Sequence, residues 1–446
     1  MALVQQLLFA LVLGGTAWLV TRRVLLIRRT IQLGRPEDRS DHPQERLATM
    51  LRAAFGQQKM FDRPIVGLLH FFVYAGFLLI NLEVLEIVLD GITGQHRLFA
   101  PLLGGFYPVL ISFFEFLALS VLVACLIFLI RRNVLKTPRL QAGRHRELNG
   151  WPALDGNLIL TFEVVLMTAI LCMNAADLVL QDLGSAHYTS TGEFLISQWI
   201  KPIFANWTEA NLVILERVAW WFHILGILGF AVYLTYSKHL HIVLAFPNTY
   251  FARLIPKGAM HNMPEITKEV KIMLGIGEPD ASEPPAEIGR FGAKDVVDLS
   301  WKSLLDAYSC TECGRCTSSC PANITGKKLS PRKIMMDTRD RLEDIGQVMQ
   351  ANDGKFVDDG KSLLGDYILE EEILACTTCN ACVQECPILI NPLDIILQLR
   401  RYKIMDEAQA PASWNAMFQN LETNQAPWKF SPGDRFNWAN DLRQPN

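Results

Sequence analysis

Five apolar stretches occupy the first half of the chain, running roughly from Ala2 to Leu19, Pro64 to Val88, Pro101 to Ile130, Leu158 to Leu180 and Leu212 to Phe246. Each is long enough to cross about 30 Å of hydrocarbon as a helix. After Pro247 the pattern becomes charged and mixed. "GIGEPDASEPPAE", from Gly275 to Glu287, reads as a linker or extended loop. "LSPRKIMMDTRDRLEDI" places Ser330 as N-cap and Pro331 at the first helical position, and "NPLDIILQLRRYKIM" also reads as helix. No segment is rich in strand signals. The expected fold is all-α: a five-helix transmembrane bundle over residues 1–250 and a mostly helical soluble domain over 251–446.

Charge gives the bundle a direction. Arg22 to Arg63 is rich in arginine, and Arg131, Arg132, Lys136, Arg139, Arg144 and Arg146 follow the third stretch, whereas the other two connections carry little beyond Arg97 and Lys201. The positive-inside rule then places the N-terminus outside and everything after the fifth stretch in the cytoplasm, as in a multi-pass protein of the inner (cytoplasmic) membrane. Basic residues follow the first stretch instead of preceding it, so it reads as a retained span and not a removable signal peptide. With half of its 446 residues hydrophobic and a net charge of −3, the chain is too apolar for an ordinary soluble protein and is no nucleic-acid binder.

Of ten cysteines, Cys125 and Cys172 stand alone in apolar stretches, and eight fall in two runs, "CTECGRCTSSCP" from Cys310 and "CTTCNACVQECP" from Cys376. Closely spaced thiols of this kind suit metal ligation in a reducing compartment. Each run is C-x2-C-x2-C-x3-C-P, the spacing with which bacterial ferredoxins hold [4Fe–4S] clusters and lend the last cysteine to the other cluster. That assigns Cys310, Cys313, Cys316 and Cys386 to one cluster, and Cys376, Cys379, Cys382 and Cys320 to the other. A pair of zinc sites, the alternative, has no use for a third cysteine and a closing Cys-Pro. The two runs resemble the helical dicluster domains of heterodisulfide reductase small subunits and of succinate dehydrogenase iron–sulfur subunits. The former are closer, because both runs are complete and no third cluster motif is present.

Electrons reaching the membrane need an acceptor there, and His70, His223, His239 and His241 are the candidates, since a histidine within a span is costly. Taking Pro64 and Pro247 as span ends, His70 and His241 each lie six residues in, about 9 Å deep. Equal depth suits axial ligation of one haem. His223 shares a helix side with His241, while His239 points nearly the opposite way from His223, so His241 is preferred. "GLLHFFVYAGF", from Gly67, and "FHILGILGFAVYLTYSKHLHIVLAFPNTYFARL", from Phe222, resemble the second and fifth helices of respiratory nitrate reductase gamma subunits and of heterodisulfide reductase membrane subunits, all five-span cytochromes b. The resemblance implies one haem b held by His70 and His241, with His223 a ligand of a possible second, outer haem. Ile80 stands where that second haem's other ligand is expected, so it is absent or a group such as His96 substitutes.

Asn81, Glu83, Glu86, Asn174, Asp177, Glu216 and Arg217 gather toward the outer halves of the spans, with Glu115 and Glu163 deeper. They carry protons or bind a quinone, or else form an interhelical polar network. The missing outer ligand favours a quinone site on the inner side. The tail "SWNAMFQNLETNQAPWKFSPGDRFNWAND" packs Trp414, Phe418, Trp428, Phe430, Phe436 and Trp438 among polar residues, and either docks a partner or wraps its own domain. Lys327, Lys328, Arg332 and Lys333 read as a solvated face. No nucleotide fingerprint, P-loop, C-x-x-C-H or Cys-Cys-Gly motif is present. Substrate chemistry therefore falls to a partner that resembles a Cys-Cys-Gly-containing subunit or an electron-transferring flavoprotein. The expected function is a membrane-bound electron-transfer subunit linking a cytoplasmic oxidoreductase to quinone through two [4Fe–4S] clusters and haem b. The alternative is a membrane redox sensor or anchor without quinone turnover.

Overall fold

A computed structural model of the chain describes residues 2–256, 258–276, 290–440 and 442. Among these the structure is helical, and extended pairing is limited to the isolated bridges Arg35 with Ser300 and Leu364 with Ile368. Five helices are long and apolar enough to cross a membrane. They are α1 (Ala2–Ile31), α3 (Pro64–Thr93), α4 (Tyr107–Leu129), α5 (Trp151–Asp182) and α6 (Glu209–Leu234), with the short α2 (Pro43–Met50) between the first two. Pro64, Pro108 and Pro152 stand in the first turns of α3, α4 and α5, where a missing N–H costs nothing. Helices α3, α4, α5 and α6 pack each on the next, and α1 closes the bundle by touching both α3 and α6. Ile80, Ile111, Phe114, Val121, Leu166, Ile170 and Ile224 fill the centre.

The fifth span ends earlier than its hydropathy implies. α6 stops at Leu234, and after a turn at Lys238–Leu240 a separate helix α7 (His241–Tyr250) begins, with Pro247 inside it. The break has a local cause: the buried Asp155 at the start of α5 accepts hydrogen bonds from Tyr233 Oη, from Ser237 Oγ at 2.7 Å and from Lys238 N at 3.2 Å. That carboxylate satisfies the donors freed where the helix opens. α7 then packs on α2 and on the C-terminal body. His241 consequently lies beyond the span, at the first residue of α7, and not six residues inside a continuous helix.

The C-terminal body is built on α8 (Trp301–Ser309), α10 (Pro331–Ala351) and α12 (Pro392–Arg401), with short α9 (Arg315–Ser318) and α11 (Ala381–Glu385) following the cysteine loops. Ser330 caps α10 by accepting from Lys333 N, as its sequence predicts. Leu304, Ile334, Leu342, Ile345, Ile395 and Leu399 share one core with Ile27 of α1 and with Leu240 and Ala245 at α7. The bundle and the body are thus one packed unit on that side. Of the stretch expected to be a linker, Gly275 and Ile276 are described and the remainder lies outside the described residues.

Candidate functional site

The two cysteine loops have the same backbone. Glu312 (φ 56°) and Gly314 (φ 72°) in the first correspond to Thr378 (φ 57°) and Asn380 (φ 60°) in the second, all left-handed. This alternation turns main-chain N–H groups toward sulfur: Thr378 N lies 3.4 Å from Cys376 Sγ, and Ile390 N 3.3 Å from Cys386 Sγ. Gly314 is needed twice over, for its φ and because a Cβ there would meet the Arg332 guanidinium at 2.5 Å. Cys310, Cys313, Cys316 and Cys386 line one small cavity together with Met335, Ile388 and Ile390. Cys320 neighbours Cys376 and Cys382 instead. Each run's last thiol therefore stands with the other run's first three. Burial pushes the free thiols up, Cys310 to about 11 and Cys382 and Cys386 to about 12, so only a bound cation makes them the thiolates that ligation needs. The four-thiol cavity and inward N–H groups fit an iron–sulfur cube. Cys379 alone of the eight is exposed.

Three histidines meet where α3, the α6–α7 break and the body come together. His70 lies within electrostatic reach of His241 and of Arg315 in the first cysteine loop. His239 stacks edge-on to His241 with ring centroids 5.4 Å apart and also feels His70. His70 Nδ1 is 2.9 Å from Gln57 Oε1, and His241 Nδ1 is 3.1 Å from the Lys238 carbonyl. With Nδ1 as donor, each ring keeps its Nε2 lone pair, the arrangement of an axial ligand. Burial lowers His241 below the usual range and His239 to about 3, so both are neutral. His70 and His241, the pair singled out in the sequence, are neighbours here, and His239 joins them as a third imidazole that helix geometry on a continuous span turns away. His223 is different: it is buried, neither ring nitrogen makes a hydrogen bond among the described residues, and it lies against the Leu166 backbone of α5.

The loops that hold these rings also touch both cysteine runs. Lys59, two residues from Gln57, donates to the Cys386 carbonyl at 3.3 Å, and Arg315 donates to the Lys59 carbonyl at 2.8 Å. Lys238 pairs with Glu312 at 2.6 Å, and Arg339 holds the other Glu312 oxygen at 2.8 Å. Arg139 donates to the Cys313 carbonyl at 3.1 Å. Arg332, expected on a solvated face, is fully buried, because it pairs with Glu147 at 2.8 Å across the same junction. No local pattern marks Gln57, Lys59 or Lys238 as positioning residues.

At the far end of the bundle the polar residues form a network. Arg97 donates to Asp177, Asn174 and Tyr107 at 2.7, 2.8 and 3.1 Å. Glu115 accepts from Asn174 and from the Ile196 and Ser197 amides, and Glu86 from Tyr107 and the Phe99 amide. His96 sits 3.6 Å from Asp177 in this network. In the tail, α13 (Ala412–Asn424) lays Trp414 over Arg400, while Trp428, Phe430, Phe436 and Trp438 are exposed.

Comparison with known proteins bears on the cysteine-bearing part. Residues 309–390 match the 4Fe-4S dicluster domain. The chain is 28% identical over 463 residues to the "Probable iron-sulfur-binding oxidoreductase FadF" of Bacillus subtilis, covering 98% of this chain and 61% of that one. It is 24% identical over 430 residues to the "EtfAB:quinone oxidoreductase" of Syntrophomonas wolfei, covering 90% and 55%. A "Probable membrane-anchored ferredoxin" of Chromohalobacter salexigens is 32% identical over 166 residues, 34% of this chain and 25% of the relative. The chain thus spans about three-fifths or less of the length of these relatives. No solved structure matches it.

Proposed function

We propose that this membrane-anchored iron–sulfur electron-transfer protein, with its 4Fe-4S dicluster domain, relays electrons between a cytoplasmic redox partner and the quinone pool. Cys310, Cys313, Cys316 and Cys386 hold the cluster nearer the membrane, Cys376, Cys379, Cys382 and Cys320 the outer one, and His70 and His241 one haem b. When bound, these groups accept and release single electrons; the chain supplies their positions. The observation that carries the reading is the double tether from the histidines to the thiol group of Cys310, Cys313, Cys316 and Cys386, through Gln57 and Lys59 to Cys386 on one side and through Lys238 to Glu312 on the other. Cys379, exposed in the second run, gives the opposite end access to a partner. The relative named EtfAB:quinone oxidoreductase supports an electron-transferring flavoprotein as that partner, or a Cys-Cys-Gly-containing subunit, with the aromatic tail as part of its docking surface. The arginine-rich connections support a cytoplasmic position for this end, with the N-terminus outside. Neither ring nitrogen of His223 makes a hydrogen bond among the described residues, and the reading needs a single haem.

The test is anaerobic purification followed by addition of a quinol. Visible and paramagnetic-resonance spectra should show both a b-type band and reduced clusters. Clusters that reduce with dithionite but stay oxidised with quinol would sink the quinone link, and the absence of a b-type band would sink the histidine assignment.

A further inference from the structure

The face of α3 that carries His70 also carries a group left idle by electron transfer. His70, Tyr74, Phe77, Asn81 and Leu85 recur at helical spacing and form one stripe along α3. Its far part lies on the bundle surface, with Phe77 39% and Leu85 49% exposed. Nearer the body the stripe turns inward. Tyr74 is half-buried, and its hydroxyl is buried without any hydrogen-bond partner among the described residues. A buried hydroxyl left so is destabilising, so the position calls for an acceptor. Only a lipid-soluble molecule can travel along an apolar stripe inside a bilayer. Beside this entrance, Leu47, Leu51 and Phe55 are 46%, 46% and 49% exposed at four-residue intervals on α2 and the turn after it. They make a second apolar row, on the connection whose Gln57 holds His70.

We infer that Tyr74 donates a hydrogen bond to a carbonyl oxygen of the quinone ring, which enters sideways along the α3 stripe from the leaflet nearer the C-terminal body. This rests on the quinone reading above and gives it a place, one helical turn from His70. The far-end network makes a poorer head-group site, because Arg97 is already held by Asp177, Asn174 and Tyr107, Glu86 by Tyr107 and the Phe99 amide, and Glu115 by Asn174 and the Ile196 and Ser197 amides.

The test uses the full chain in lipid nanodiscs and the fluorescent quinol analogue 2-heptyl-4-hydroxyquinoline N-oxide. Wild-type protein should quench it saturably. Tyr74→Phe, which removes one oxygen, should weaken binding roughly two- to tenfold while leaving the visible spectrum unchanged. Phe77→Trp, which narrows the route, should also weaken it, and Tyr188→Phe at the far end should not. Unchanged affinity in Tyr74→Phe overturns the inference, as does weakening only in Tyr188→Phe. A shifted visible spectrum in Tyr74→Phe would assign the hydroxyl to the haem instead and overturn it equally. If wild-type protein binds no analogue, the quinone reading itself fails.

Discussion

Glu147→Gln tests whether the cysteine body is locked to the bundle or merely tethered to it. Glu147 belongs to the connection between α4 and α5, and one of its oxygens accepts from Ser330 Oγ at 2.7 Å and from Arg332 Nη2 at 2.8 Å and Nε at 3.3 Å. Arg332 is fully buried, and its remaining terminal nitrogen donates to the Arg139 carbonyl at 2.7 Å. Glutamine keeps the shape and one acceptor but leaves the guanidinium without its counter-charge. Breaking one side of a buried pair costs about 3–5 kcal/mol, and the retained acceptor puts the change at the lower end, about 3 kcal/mol. At about 1.4 kcal/mol per tenfold, local opening of the junction should become roughly a hundredfold more frequent. Hydrogen–deuterium exchange reads this directly, in peptides covering residues 140–150 and 315–335, while α4 and α5 stay protected. The double variant Glu147→Leu, Arg332→Leu should lose less than the two single changes summed, because it leaves no unpaired charge. Exchange in Glu147→Gln within threefold of wild type would refute the reasoning.

The same junction should respond to pH: burial raises the Glu147 carboxyl, but Arg332 and Ser330 outweigh it and hold the group below its ordinary 4.5. A depressed carboxylate stabilises the docked state above its unfolded value and stops doing so as pH falls through its folded value, so the junction peptides should lose protection only below about pH 4.5; loss beginning at pH 6 would point to another group. Cys386→Ser should remove the cluster of the first run and Cys320→Ser that of the second, each lowering iron and acid-labile sulfide from about eight to about four per chain beyond haem iron. Opposite assignments in paramagnetic resonance would reverse the cross-ligation. His70→Ala and His241→Ala should each abolish the b-type band while His239→Ala leaves it; a band lost only with His239 would move the ligand by two residues.

The features legible in sequence are those written in local pattern. The five spans, the cap at Ser330 and the cysteine spacing follow from periodicity and residue type alone. The end of the fifth span does not, because "HLHIVLAF" is nearly as apolar as a span: Leu240 and Ala245 are buried, but against protein, and hydropathy cannot distinguish lipid from a protein core. The arginines have a second meaning for the same reason. Arg139 reads as a topology signal, yet it holds the Cys313 carbonyl, and Arg23 pairs with Glu343 of α10. These two pairings join residues 174 and 320 positions apart, which no local window reports. The place of His239 is hidden in the sequence because its angle presumes a continuous helix, and Asp155 breaks that helix before it arrives.

The junction also gives the electron path a polarity. The two tethers differ in kind and end on different runs but at the same thiol group: Lys59 binds the main chain of Cys386 in the second run, and Lys238 binds Glu312 between Cys310 and Cys313 in the first, and these three cysteines line one cavity with Cys316. Lys59 donates as well to the Gln384 carbonyl between Cys382 and Cys386, so the loop that holds His70 grips the end of the second run next to the first. Since Cys320 and Cys386 are exchanged between the runs, the two thiol groups cannot be separated without unfolding both loops, and fixing the first relative to His70 and His241 fixes the second as well. A rigid chain of stations results from three constraints: helical packing on α1 and α7, thiols shared across runs, and charged side chains that span the junction. Electron transfer falls steeply with distance but asks little of orientation, so a fold that invests its buried charges in holding spacing constant suits that task better than it suits a sensor, whose output would need the junction to move.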